Sequence, residues 1–181
     1  MILVIDLEAT CSEGSEIAAA DMEIIEVGAV WAYTNGAVAS TFQAFVRPML
    51  NKLLTEYCTN LTGISQQDVN GADLWPAVSQ QLAGFSSLHA PKPLIWGSWG
   101  RYDLKQIDRD CLRHDVMNPL INWQHINLKR EFAKSRKIKE VGMRKALEMS
   151  NLALLGPPHR GLDDAINVAK LLPMIRMSDD A

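Results

Sequence analysis

MILVIDLEAT, residues 1–10, is the stretch on which the reading of the fold turns. Residues 2–7 are apolar on both alternation faces, the pattern of a central strand covered on both sides. Side chains alternate along a strand, so Asp6 and Glu8 fall on one face at its C-terminal end. Beyond it, residues 23–34, with Ile24, Ile25, Val27, Ala29, Val30 and Trp31, predict a second strand, and residues 39–47 a third. The Asn35-Gly36 pair between them is a turn signal, and the three together predict an antiparallel meander.

Farther along, a loop is expected over 48–64, then a helix over 75–88 with Val78, Leu82 and Phe85 on one side. Pro91-Lys92-Pro93 ends it. Leu94-Ile95-Trp96 reads as a short buried strand that delivers Gly97 to Asp103, and a helix follows over 104–113. Further helices fit 127–136, 140–149 and 162–172, the last preceded by Gly156-Pro157-Pro158. Asp103 alone would read as an N-cap of the helix at 104. No repeat, low-complexity tract or linker interrupts the chain. Strands first, then strands alternating with helices, predict one α/β domain over 1–181, a central mixed β-sheet flanked by α-helices.

A chain of 181 residues, 48% hydrophobic, is long enough for one well-buried domain. No stretch approaches the roughly 18 uninterrupted apolar residues of a membrane span. The first ten residues lack a basic leader, a long apolar region and a cleavage pattern, so no secretory signal is expected. Cys11, Cys58 and Cys111 have neither disulfide-framework nor zinc spacing, and a reducing cytoplasm is the expected location. Cys11 reads as a small packing residue. Net charge is −3, which argues against a protein that coats duplex nucleic acid by charge alone. Its distribution is uneven. Lys129, Arg130, Lys134, Arg136, Lys137, Lys139, Arg144 and Lys145 stand against only Glu131 and Glu140. That segment is either a phosphate-binding patch or a solvated helix face.

The chemistry lies in an ordered set: Asp6 and Glu8, then Asp103 in WGSWGRYDLKQI, then His159 and Asp164 in HRGLDDA. Opening a phosphodiester requires a hydroxide nucleophile near neutral pH, neutralisation of the charge that develops, and help for the leaving oxygen. Two divalent ions supply all three. Hard cations such as Mg²⁺ or Mn²⁺ take carboxylate oxygens and water, which matches Asp and Glu rather than Cys as ligands. Without metal, converging carboxylates raise each other's pKa, so the empty site should be metastable. A histidine on the loop entering a helix and an aspartate in its first turn can face one cleft. The aspartate binds metal, and a neutral imidazole, titrating near neutral pH, takes a proton from water. Each residue alone has a blander reading, as a cap, a helix-dipole acid or a solvated loop histidine. The conjunction points to a metal-dependent nuclease. His89, His114 and His125 have no comparable acid nearby.

The order Asp-x-Glu, Asp, His-x-x-x-x-Asp resembles that of the DEDDh 3′–5′ exonucleases of the ribonuclease-H-like superfamily. VIDLEAT, LTGISQQDV (61–69), SWGRYDLKQI (98–107), INLK (126–129) and HRGLDDAINVAKLL (159–172) resemble the branch that includes the histone-mRNA 3′-end exonuclease and the sporulation inhibitor KapD. The likeness covers nearly the whole chain. It implies that Asp6 bridges two metals, Glu8 and Asp164 complete the tighter site, Asp103 holds the second ion directly or through water, and His159 is the general base. It implies that backbone at Ala9 and Thr10 approaches the terminal nucleotide, whose 3′ hydroxyl meets Glu8. Trp99 is a candidate to stack on a base, with core packing as the competing reading. The His-x-x-x-x-Asp spacing excludes Asp163.

Three features depart from the pattern. The loop from Cys11 to Met22 carries Glu13, Glu16 and Asp21, Pro157-Pro158 stand where a second histidine is common, and no additional nucleic-acid-binding domain is expected within these 181 residues. The expectation is therefore hydrolysis of single-stranded RNA or DNA from the 3′ end to nucleoside 5′-monophosphates with two divalent cations. A catalytically silent nucleic-acid-binding or scaffold module on the same fold is the alternative. A phosphoacceptor receiver domain ranks below both, lacking the adjacent acidic pair and leaving His159 unexplained.

Overall fold

The computed structural model describes residues 1–14, 16–90 and 92–176. Pro91, part of the helix-ending signal, and the last five residues lie outside them. Five strands form one mixed sheet, β1 (Ile2–Ala9), β2 (Ile24–Ala32), β3 (Val38–Phe45), β4 (Ile95–Ser98) and β5 (Gln124–Asn127), in the order β3-β2-β1-β4-β5. β1 is antiparallel to β2, and β2 to β3, giving the meander. β4 and β5 add on the other side in parallel. β1 is central and buried throughout except at Asp6, as expected of a strand covered on both faces.

The helices are α1 (Glu56–Thr62), α2 (Gln66–Asn70), α3 (Trp75–Ser87), α4 (Tyr102–Arg113), α5 (Leu128–Arg136), α6 (Met143–Met149) and α7 (Gly161–Lys170), with a 3₁₀ turn at Leu172–Met174. Alternation along β1 sorts them into two layers. Leu3, Ile5 and Leu7 bury against Trp75, Val78 and Leu82 of α3 and Ile107 and Cys111 of α4. Ile2 and Val4 face Leu128 and Phe132 of α5, Leu147 of α6 and Ala165, Val168 and Ala169 of α7. Asp6 and Glu8 continue this second face, so the fold presents them to the α7 layer. No helix among the described residues is long and apolar enough to cross a membrane.

Three expectations change. The region 48–64 is not all loop, since Thr55 accepts the Cys58 N–H to cap α1, and the stretch after it, given no element, holds α2 with a capping box of Ser65 and Asp68. β5 was not anticipated, because Gln124–Asn127 is short and only partly buried and exists by pairing with β4. Asp103 is not a cap. It sits in the first turn of α4, after Arg101, and its carboxylate accepts the Leu7 N–H at 3.1 Å.

Candidate active site

β2 and α7 meet beside β1 at a place where both must lack side chains. Gly28 of β2 pairs with Asp6, and a Cβ on it would stand 2.0 Å from the Gly161 carbonyl carbon. A Cβ on Gly161 would lie 3.0 Å from the Asp6 carbonyl oxygen. The first turn of α7 therefore rests on the sheet backbone beside Asp6 and Glu8, which delivers Asp164. The loop before it carries His159 in a left-handed conformation at φ 61°, with its N–H 3.0 Å from Asp164 Oδ2.

A cleft of about 680 Å³ opens here, lined by Asp6, Glu8, Asp103, His159 and Asp164. Ligand atoms of Glu8, His159 and Asp164 all lie within 4.8 Å of one another. Asp6 and Asp103 share the cleft without joining that tight trio among the described residues. Asp163 does not line it: its Oδ2 lies where a Cβ on Gly156 would be, at 2.1 Å.

The carboxylates disfavour one another. Burial, then the charges of Asp103, Glu8, Asp164 and Glu26, raise Asp6 well above the carboxylate range. Burial, followed by Asp164 and Glu26, pushes Glu8 to about 8. Burial pushes Asp103 to about 6 against opposing hydrogen bonds from Ser98 and the Leu7 N–H. Burial also raises Asp164, against the His159 N–H. Asp164 Oδ1 is buried with no hydrogen-bond partner. A buried lone carboxylate oxygen, surrounded by acids that cannot all ionise unaided, is the environment a hard divalent cation relieves. The donor set therefore fits the cations expected from the sequence.

Of the expected substrate contacts, Ala9 lines the cleft, but Thr10 does not. The Thr10 N–H donates to the Glu23 carbonyl at 2.8 Å and its hydroxyl accepts the Glu23 N–H at 2.9 Å, so Thr10 ties two segments together. Trp99 lines the cleft and is also packed into the core: Nε1 donates to the Val141 carbonyl at 3.1 Å and the ring rests 5.7 Å from Phe132. Arg144 and Gly142 also line the cleft, joining one end of the basic segment to it.

Sequence reasoning passed over several neighbours. Glu26 is fully buried across from Glu8. Arg160 pairs with it at 3.3 Å. His125, set aside earlier, has Nε2 2.9 Å from the hydroxyl of Ser98, which also lies 3.3 Å from the Gly100 carbonyl; burial, then Arg101, lowers His125 to about 4. The acid in EIIEVGAV and the Arg between His159 and Gly161 were visible, but nothing local says that they meet.

The Exonuclease family model (RNase_T) matches residues 3–172. The chain is 31% identical to 3′-5′ exoribonuclease 1 of Rattus norvegicus over 188 residues, 99% of this chain and 53% of that protein. It thus spans about half the length of such curated relatives. Among solved structures it resembles the nuclease domain of 3′hExo, a DEDDh family member, bound to rAMP. There the TM-score is 0.87 and identity 29%, over 98% of this chain and 96% of that one. It also resembles the 3′-exonuclease in a structure of 3′-end-specific recognition of the histone mRNA stem-loop. There the TM-score is 0.85 and identity 31%, over 94% and 78%. With the sheet order, the cleft carboxylates and a family match over most of its length, this chain belongs to the exonuclease family and has the ribonuclease-H-like fold of its DEDDh members.

Proposed function

We propose that this protein is a metal-dependent 3′–5′ exonuclease that removes nucleoside 5′-monophosphates from the 3′ ends of single-stranded RNA or DNA. The observation that carries the reading is the meeting of Glu8, His159 and Asp164 within 4.8 Å, in the cleft that also holds Asp6 and Asp103. RNA is the favoured strand, because the similar solved domains are seen with rAMP and with a histone mRNA stem-loop. A reducing cytoplasm suits its three free thiols.

Asp6, Glu8, Asp103 and Asp164 would hold two divalent cations, Mg²⁺ or Mn²⁺. Bound there, such ions supply Lewis acidity and charge neutralisation at the phosphate. The rest falls to the chain. His159, exposed at the cleft with its backbone N–H held by Asp164, takes the proton of the attacking water. Glu8 and the backbone at Ala9 receive the terminal 3′ hydroxyl. Trp99, its edge anchored to Val141, offers a ring face to a base. Asp164 both binds and positions, because one oxygen takes the His159 N–H and the other is left free.

The test is a time course on 5′-labelled RNA and DNA of matched sequence with Mg²⁺, Mn²⁺ or EDTA, beside Asp6→Ala and His159→Ala. Shortening from the 3′ end by single nucleotides, abolished by EDTA and by Asp6→Ala, is expected. His159→Ala should lose on the order of 10²- to 10⁴-fold in rate while still binding metal. RNA binding with no metal-dependent product on either strand would replace this reading with the silent binding module.

A further inference from the structure

Glu26 belongs to none of the spacings that mark the site, yet it stands across from Glu8 on β2 with no solvent exposure. Its carboxylate is fully engaged, by Arg160 and Gly161 at the start of α7 and by Gln43 of β3. Oε2 accepts the Gly161 N–H at 3.0 Å and Arg160 Nε at 3.3 Å, and Oε1 accepts a second Arg160 nitrogen at 3.4 Å and the Gln43 amide. The Arg160 guanidinium also lies 5.6 Å from the centre of the Phe45 ring. The two residues directly after His159 are thus held by one buried acid.

His159 itself stands at φ 61°, a left-handed conformation that L residues rarely adopt and that persists only where the surroundings impose it. Its N–H is fixed by Asp164, but its side chain is exposed at the cleft. An exposed ring on such a turn keeps its aim only if the backbone on both sides is held. Asp164 holds His159 itself, and Glu26 holds the two residues that follow.

We propose that Glu26 is a positioning residue for the general base: by gripping Arg160 and Gly161 it fixes the turn at His159 and aims the imidazole into the cleft. The proposal rests on His159 being the base, as read above. Glu26 touches neither substrate nor water in this role and acts only through His159. The fork of Arg160 makes the grip directional, because a planar guanidinium meets a carboxylate through two nitrogens in one plane.

A double-mutant cycle tests it, with Glu26→Gln, Arg160→Gln and His159→Ala, singly and combined, assayed for kcat and KM on single-stranded RNA with Mg²⁺ and for thermal midpoint. Glu26→Gln and Arg160→Gln should each lower kcat about 10- to 100-fold with KM within about twofold, as misplacement of a catalytic group does. In the His159→Ala background neither should lower kcat further by more than about twofold. Multiplying losses in that background would overturn the proposal and mark Glu26 as general packing. Loss with Glu26→Gln alone would also overturn it, pointing instead to the Glu26 charge acting on Asp6 and Glu8. If Glu26→Gln does not fold, Arg160→Gln carries the test, since its side chain is 26% exposed and it leaves the Gly161 bond intact. Full kcat in His159→Ala itself would be a different failure, that of the base assignment.

Discussion

Replacing Glu8 by glutamine should make the metal-free protein more stable at alkaline pH even as it damages the site. Burial and three neighbouring acids move the Glu8 carboxyl from its ordinary 4.5 to about 8. A raised folded value means that the native state holds the proton more tightly than the unfolded chain. Stability from this group is therefore fully present below the unfolded value and is lost as pH rises through the folded one. At about 1.4 kcal/mol for each tenfold, ionising Glu8 in the folded, metal-free protein costs ~5 kcal/mol. About 3 kcal/mol of that appears between roughly pH 5.5 and pH 8.5. For a chain of this size each kcal/mol moves the midpoint by about 2–4 °C, so wild type should lose roughly 6–12 °C more than Glu8→Gln across that interval. Asp6 adds to the gap, because Glu8 is one of the charges that raise it. The assay is a set of thermal melts in EDTA at both pH values for both proteins. With Mg²⁺ in excess the gap should close or reverse, since a cation that binds only the folded, ionised site stabilises by mass action. Parallel pH dependence of the two proteins in EDTA would refute the claim that these carboxylates strain the empty site.

Gly28→Ala should lower the melting midpoint by several degrees and abolish metal-stimulated hydrolysis, because its Cβ would meet α7 backbone at 2.0 Å and push Asp164 away from Asp6; Gly161→Ala, with its nearest contact at 3.0 Å, should be milder. Full activity in Gly28→Ala would show that α7 need not rest on the sheet. Asp163→Asn should keep kcat within about twofold while Asp164→Asn loses metal-dependent turnover, and equal losses would contradict the placement of Asp163 against Gly156. Neutralising Lys137, Lys139 and Arg144 together should weaken binding of long strands and flatten the plot of log affinity against log salt by about 0.7 for each phosphate contact removed; an unchanged slope would make the segment a solvated face.

The meander, the central place of β1 and the helices over 75–88 and 104–113 were legible because they rest on periodicities of two and 3.6 that a short window contains. The caps on α1 and α2 were equally local. Thr55 and the Ser65–Asp68 pair stood in plain view, but the loop assigned over 48–64 ignored the first and the unassigned stretch after it ignored the second. β5 was a different kind of miss. QHIN carries no alternation strong enough to announce a strand, and its register with Ile95–Ser98 supplies the hydrogen bonds that make it one.

The site divides along the same line. The sequence alone determined that Asp6 and Glu8 share a face, that His159 and Asp164 bracket a helix start, and that the acids at these positions offer oxygen donors, since all three follow from residue identity and local geometry within a few residues. Only the tertiary structure decided that this face meets α7, that Gly28 and Gly161 let the backbones touch, that Asp103 arrives by way of the Leu7 N–H, and that Glu26 grips Arg160 from 134 residues away. Those contacts depend on strand register and crossover. A chain reveals its turns and periodicities one segment at a time, but distant segments are matched by packing the whole core at once.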